Sequence, residues 1–430
     1  MGARTLTTGS APPRGDTTPD AIHTPDTRSF KTAVLLATAS VVALPFLRPS
    51  GAGNVAPIPD SLIVGTILAT LYWVVSTRRP IHVPYGWAVA LLVAGGCLAA
   101  LANDRTWSAA LTVGQDLFLL LWAAALAALA STPAVARVLL RAWALAATVW
   151  AALLIVGLIL GIAALTGIAA RTGPRVSFTL GDPNFAANYF VVSLLIVAAT
   201  GYPRGLLRIA SYGMLLVALV FTGSNGGFVT LAVALVIIVA PALVRSLGAA
   251  PALAAACLLG AGVAVVALTP ASHVFDSVLN NQAQQQQNPL HQSVGRVDQS
   301  TQTRSVIFSE TTGLYRDSSV LGIGPGATKD VLAQRQYPYV KMAHDDYVAA
   351  ILERGLLGGL GLILLLGAVA TRTRAAITTV GTVSVVHRPA ALVAAVAAFA
   401  VAAGFYQVLH LRHLWALLGI VAGLALAGDR

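Results

Sequence analysis

The stretch Ala343-His344-Asp345-Asp346-Tyr347-Val348-Ala349-Ala350-Ile351-Leu352-Glu353-Arg354-Gly355-Leu356-Leu357-Gly358-Gly359 opens an apolar run that continues to about residue 370. A helix needs roughly 20 apolar residues to cross a bilayer, so the run reads as a membrane helix. His344, Asp345 and Asp346 stand at its mouth, and Glu353 and Arg354 lie inside it. The aspartates sit where a helix N-terminal dipole favours them. At 100° per residue, Asp346 and Glu353 share nearly one helix face, about 10 Å apart along the axis. Charges at the depth of Glu353 and Arg354 are rare and are paired or functional. An ion pair from Glu353 to another span is the structural reading, with Asp116 in the fourth span as a candidate partner.

Composition extends this reading to the whole chain. Of 430 residues, 57% are apolar and 10% charged, and mean hydropathy is +0.78. Soluble domains carry about 25% charged residues. The expected fold class is therefore all-α, a polytopic membrane protein. A net charge of +11 would suggest a nucleic-acid partner in a soluble protein. Here basic residues flank spans for topological reasons, and no nucleic acid is expected. Cys97 and Cys257 each sit in an apolar run, so no disulfide framework is implied.

Apolar runs fall at about 32–47, 61–77, 86–102, 108–130, 139–167, 184–200, 206–222, 228–244, 251–269, 347–370, 389–409 and 412–428, giving about 12 transmembrane helices. Residues 1–30, rich in Ser, Thr and Pro without an apolar core, read as a disordered cytoplasmic tail rather than a signal peptide. Residues 31–269 then hold helices 1 to 9, and residues 346–430 helices 10 to 12. Between them, 270–345 is expected to form one large extracytoplasmic loop. It carries the flexible run Gln282-Ala283-Gln284-Gln285-Gln286-Gln287-Asn288 and, around 306–308 and 320–324, short amphipathic helices. With the N-terminus inside, Arg78, Arg79, Arg137, Arg141, Arg204, Arg208, Arg245, Arg372, Arg374 and Arg388 face the cytoplasm. The short outward connections carry only Arg48, Arg105, Arg171, Arg175 and Arg412. That bias obeys the positive-inside rule and places both termini in the cytoplasm.

The exceptions to apolar monotony gather on the outer side. Arg171 and Arg175 precede Gly181-Asp182-Pro183-Asn184, where Asp182 favours a turn and Asn184 can cap the next helix. Thr222-Gly223-Ser224-Asn225-Gly226-Gly227 reads as a tight turn between spans. Arg304 and Tyr315-Arg316-Asp317 lead to Leu321-Gly322-Ile323-Gly324-Pro325-Gly326. No P-loop lysine follows those glycines, so they fit a loop lying close to a lipid headgroup better than a nucleotide site. His410 and His413 have a spacing that can hold a metal on a helix, but no further ligands match it.

Taken in order, these pieces resemble the O-antigen ligase and polymerase superfamily of bacterial multi-spanning proteins. The carriers are Arg175 with Gly181-Asp182-Pro183-Asn184, the turn at 222–227, Arg304, the glycine loop at 321–326, and His344-Asp345-Asp346-Tyr347 with Glu353, Gly355 and Gly358 behind. Two positions depart from the family pattern. Asn225 stands for the arginine of a usual Ser-Arg-Gly-Gly, and Asp345 for the asparagine of a usual His-Asn.

The resemblance implies a glycosyltransferase of the bacterial cytoplasmic membrane with its active site facing outward. A glycan would pass from a polyprenyl-diphosphate donor to a lipid, protein or glycan acceptor hydroxyl, inverting and without metal or other cofactor. Diphosphate calls for guanidinium forks. Arg304 and Arg175 are the first choices, then Arg171 and Arg316, with Asp182, Asn184 and Tyr347 also at the substrate site. His344 is the leading base and Asp345 the alternative. A membrane solute transporter of the same superfamily is the competing reading, in which Asp116, Glu353 and Arg354 line a path.

Overall fold

The structure, a computed structural model, describes residues 27–46, 56–103, 106–167, 175–251, 254, 255, 258, 309–315, 320–336, 345–379 and 384–429. Most of those residues are helical, and none lies in a strand. In chain order the helices are α1 (Thr27–Val42), α2 (Pro57–Ser76), α3 (Gly86–Ala102), α4 (Thr106–Ala130), α5 (Pro133–Leu160), α6 (Ala163–Thr166) and α7 (Pro183–Thr200). They continue with α8 (Leu206–Thr222), α9 (Asn225–Leu247), α10 (Thr328–Gln334), α11 (Asp346–Thr378), α12 (Pro389–Ala403) and α13 (Arg412–Leu426). Among the described residues, 6 helices are long and apolar enough to cross a membrane, namely α2, α4, α5, α7, α9 and α11. The shorter helices α3, α8, α12 and α13 are also apolar.

Local chemistry sets the ends. Pro57, Pro133, Pro183 and Pro389 open helices, where a missing N–H does no harm. α7 is the central helix, buried along nearly its whole length, with α5, α8, α9 and α12 around it. A second group stacks α11 on α3 and α13 on α4. Small residues permit that closeness: a Cβ on Gly419 of α13 would stand 2.7 Å from the carbonyl oxygen of Ala123 in α4. Short connections alternate helix direction, so the Asp182, Ser224 and Asp346 helix starts share one end of the bundle. At the opposite end, Arg137 donates to Ser384 and the His387 and Arg388 amides donate to the Ala199 carbonyl.

Several boundaries differ from the sequence reading. The run at 139–167 divides at Gly161, which adopts a left-handed φ of 69° and closes α5. The run at 389–409 ends as helix at Ala403, and 404–411 becomes a connection. Residues 320–324 form turns and bends, not an amphipathic helix. Most of the expected span at 251–269, and most of the 270–345 loop, lie outside the described residues. α11 is broken by Gly355, with φ 64° and ψ −162°, into 346–354 and 356–378.

Candidate functional site

The two motifs that precede α7 and α9 meet through one arginine. Arg175 donates from Nε to the Thr222 carbonyl at 3.0 Å and from Nη2 to Asn184 Oδ1 at 3.3 Å. The same Asn184 oxygen accepts from Ser224 Oγ at 2.8 Å. The two Asn184 roles expected from sequence separate here. Asp182 is the N-cap, accepting the Asn184 amide at 2.7 Å, so Asn184 keeps its side chain for Arg175 and Ser224. Ser224 in turn caps α9 through the Gly227 amide at 3.2 Å. The chain folds this way because a Pro at N1 fixes the start of α7 and a left-handed Gly223 ends α8 beside it.

The start of α11 holds the third motif. Asp345 is an N-cap: its Oδ1 accepts from the Tyr347 amide at 2.7 Å and the Val348 amide at 3.2 Å. Asp346, read from sequence as a partner of the helix dipole, does something else. Its buried Oδ2 reaches across to accept from the Val408 amide at 2.6 Å and the Leu409 amide at 3.2 Å. Tyr347 donates its hydroxyl to the Ala400 carbonyl at 2.7 Å. Asp346 thus ties α11 to the 404–411 connection, and Tyr347 ties it to the last turn of α12. That connection also touches the other motifs: Phe185 and Tyr406 rings lie 6.1 Å apart, and a Cβ on Gly226 would come within 3.2 Å of Phe405. The 404–411 connection is therefore the bridge between the Arg175–Asn184–Ser224 cluster and the Asp345 helix start.

Glu353 does not pair with Asp116. Its carboxylate accepts from the Gly326 amide at 2.8 Å and from the Thr328 hydroxyl at 2.6 Å. The Ile323 and Gly324 amides donate to the Leu352 and Glu353 carbonyls, and the Leu356 amide to the Val320 carbonyl. The glycine loop is thus docked on the break in α11. A Cβ on Gly322 would lie 2.6 Å from the Gly355 nitrogen, which leaves room only for hydrogen.

The partner of Asp116 is Arg354, at 2.6 Å, with the Leu92 carbonyl accepting from the same nitrogen at 3.2 Å. Both side chains of this pair are buried. His410 Nδ1 stands 3.8 Å from Asp116 Oδ1. Burial lowers the His410 pKa, Asp116 opposes that shift and Arg354 adds to it, so the imidazole is neutral near pH 7. His410 lies in the connection and not on a helix with His413. His413 approaches Asn188 Oδ1 at 2.8 Å. Among the described residues, no group of three His, Cys, Asp or Glu converges as a metal site would require.

Of the residues singled out from sequence, Arg175, Asp182, Asn184, Asp345 and Tyr347 are brought to one end of the bundle. Arg171, Arg304, Arg316 and His344 lie outside the described residues. Sequence reasoning treated Ser224 as turn chemistry alone and Asp346 as a dipole partner. Asn188 was passed over, although its place one turn below Asn184 puts a second amide on the same buried face. No curated protein matches the chain. Residues 210–363, from α8 through the glycine turn and loop into α11, match the family model described as O-Antigen ligase.

Proposed function

We infer that this membrane protein transfers a glycan from a polyprenyl-diphosphate donor to an acceptor hydroxyl at the outer face of the cytoplasmic membrane. The reading rests on the family match and on one observation: Arg175, Asn184 and Ser224, from motifs 40 residues apart, form a single hydrogen-bonded cluster on the end of the bundle where α11 begins. Arg175 would join Arg304, Arg171 and Arg316 in binding the diphosphate, whose charge grows as it leaves. The acceptor oxygen gives its proton to His344 and attacks the anomeric carbon. The bond from that carbon to the phosphate oxygen breaks on the opposite side, inverting the centre. Arginine charge meets the electrostatic need of this step, so no metal is invoked.

His344 is favoured over Asp345 as the base. The Asp345 oxygen already accepts two backbone amides, and such bonds stabilise the charged carboxylate and weaken it as a proton acceptor. The transport reading draws on Asp116, Glu353 and Arg354, yet each of these is bonded within the protein. No observation here favours that path.

The test is direct incubation of purified protein with a polyprenyl-diphosphate oligosaccharide and candidate acceptors. Wild type is expected to release polyprenyl diphosphate as glycan is transferred, and His344→Ala to lose at least about 100-fold in rate, the usual scale of general-base loss. Transfer by His344→Ala at the wild-type rate removes His344 from the mechanism. No donor turnover by wild type with any acceptor class removes the function itself.

A further inference from the structure

α11 and α12 are consecutive, yet each packs mainly elsewhere, α11 on α3 and α12 on α7 and α9. They join at the outer end, where Tyr347 donates to Ala400, and separate below it. The gap is a groove of about 410 Å³, walled by Leu365, Val369 and Ile377 of α11, Val393 and Ala397 of α12, and Leu418 of α13. Its polar ends are unlike. The lining carboxylate, Asp346, sits at the outer end, and the lining cation, Arg374, at the other.

Arg374 is exposed and lies near Arg372 in sequence, while Arg388 caps α12 at the same end of the bundle. The α12 N-terminus adds the positive end of its dipole. From Leu362 to Arg374, α11 lines about 18 Å of groove, against roughly 15 Å for half a bilayer's hydrocarbon.

We propose that this groove is a binding site for an anionic phospholipid of the leaflet on the Arg374 side, the cytoplasmic one by the positive-inside rule. The phosphate sits on Arg374 and one acyl chain lies between α11 and α12. Basic pockets between transmembrane helices on that side suit acidic headgroups. A carrier diphosphate entering from the opposite end would meet the Asp346 carboxylate, so charge selects the phospholipid. The proposal does not rest on the transfer reaction above, although the outer end of the groove is lined by Tyr347, one of the substrate-site residues expected from sequence.

Native mass spectrometry of the full chain in mild detergent tests it, with phosphatidylglycerol and phosphatidylcholine of identical acyl chains and a polyprenyl monophosphate as competitor. Wild type is expected to retain phosphatidylglycerol about fivefold over phosphatidylcholine, the preference one arginine supplies. Arg374→Gln is expected to abolish the preference, and Ala397→Trp to reduce retention of both lipids by filling the groove. Equal retention of the two phospholipids by wild type, or an unchanged preference in Arg374→Gln, overturns the proposal. So does displacement of phosphatidylglycerol by an equimolar polyprenyl phosphate, which would give the groove to the carrier lipid. If Ala397→Trp does not accumulate, the Arg374→Gln comparison decides alone.

Discussion

Asp345 shows how one side chain can look like a departure and act as a conservation. Where the family pattern has asparagine, this chain has aspartate, and the substitution raised the prospect of a second base. The carboxylate oxygen that caps α11 accepts amides at 2.7 and 3.2 Å, and an asparagine Oδ1 accepts the same two. Asp345→Asn should therefore keep its melting temperature and its transfer rate. Asp345→Ala should lose about 1 kcal/mol, as removal of a helix cap does, and slow transfer by loosening the residue that precedes it. Thermal unfolding alongside a transfer assay separates the two roles: a stable Asp345→Asn that no longer transfers would make Asp345 the base. The helix starts at 182 and 345 were legible, though Asn184 was the expected cap of α7 and Asp345 a dipole partner, and it is Asp182 and Asp345 that accept the amides two residues on. The sharing of Asn184 between Arg175 and Ser224 was not legible, since it joins residues 40 apart through a fold the local sequence does not encode.

Hydropathy placed the helices well because each needs an apolar face of its own, and it erred where an ending depends on a single residue, as at Gly161 and Ala403. The break in α11 was illegible for a related reason. Glycine is common in membrane helices, and Gly355 sits in a run that also holds Gly358 and Gly359 without a break at either. What singles it out is the loop from 320 to 328, packed so that a Cβ on Gly355 would lie 2.3 Å from the Val320 carbonyl oxygen. Gly355→Ala meets both that clash and a backbone at φ 64° and ψ −162°, a region essentially reserved for glycine and worth about 1–3 kcal/mol against an L-residue. The variant should undock the loop, and brief protease treatment should then cut within 320–336 several times faster than in wild type. Equal cleavage rates would mean that the loop is not held by the break. Glu353, which grips Gly326 and Thr328, acts on the same element from the helix side.

Across the whole molecule, the Asp116–Arg354 pair ties α4 and α3 to the first half of α11, with Leu92 contributing a carbonyl. Two readings of that pair make opposite demands. As a structural tie, it matters because a lone charge left in the bundle is costly. Asp116→Ala or Arg354→Ala should then each lose about 3 kcal/mol or more, while a joint Asp116→Leu, Arg354→Met replacement recovers most of it, because well-packed apolar groups substitute for buried pairs at little cost. As a proton relay for transport, no apolar replacement can restore activity however stable the protein becomes. Thermal unfolding of the two single variants and the double variant gives the coupling, and glycan transfer by the double variant gives the role. Recovery of both stability and transfer assigns the pair to architecture: α11 must be held at a fixed height against α3 and α4 so that its first turn, with Asp345 and Asp346, meets the 404–411 connection. Recovery of stability without transfer would move Asp116 and Arg354 into the chemistry, and with them the depth at which it occurs.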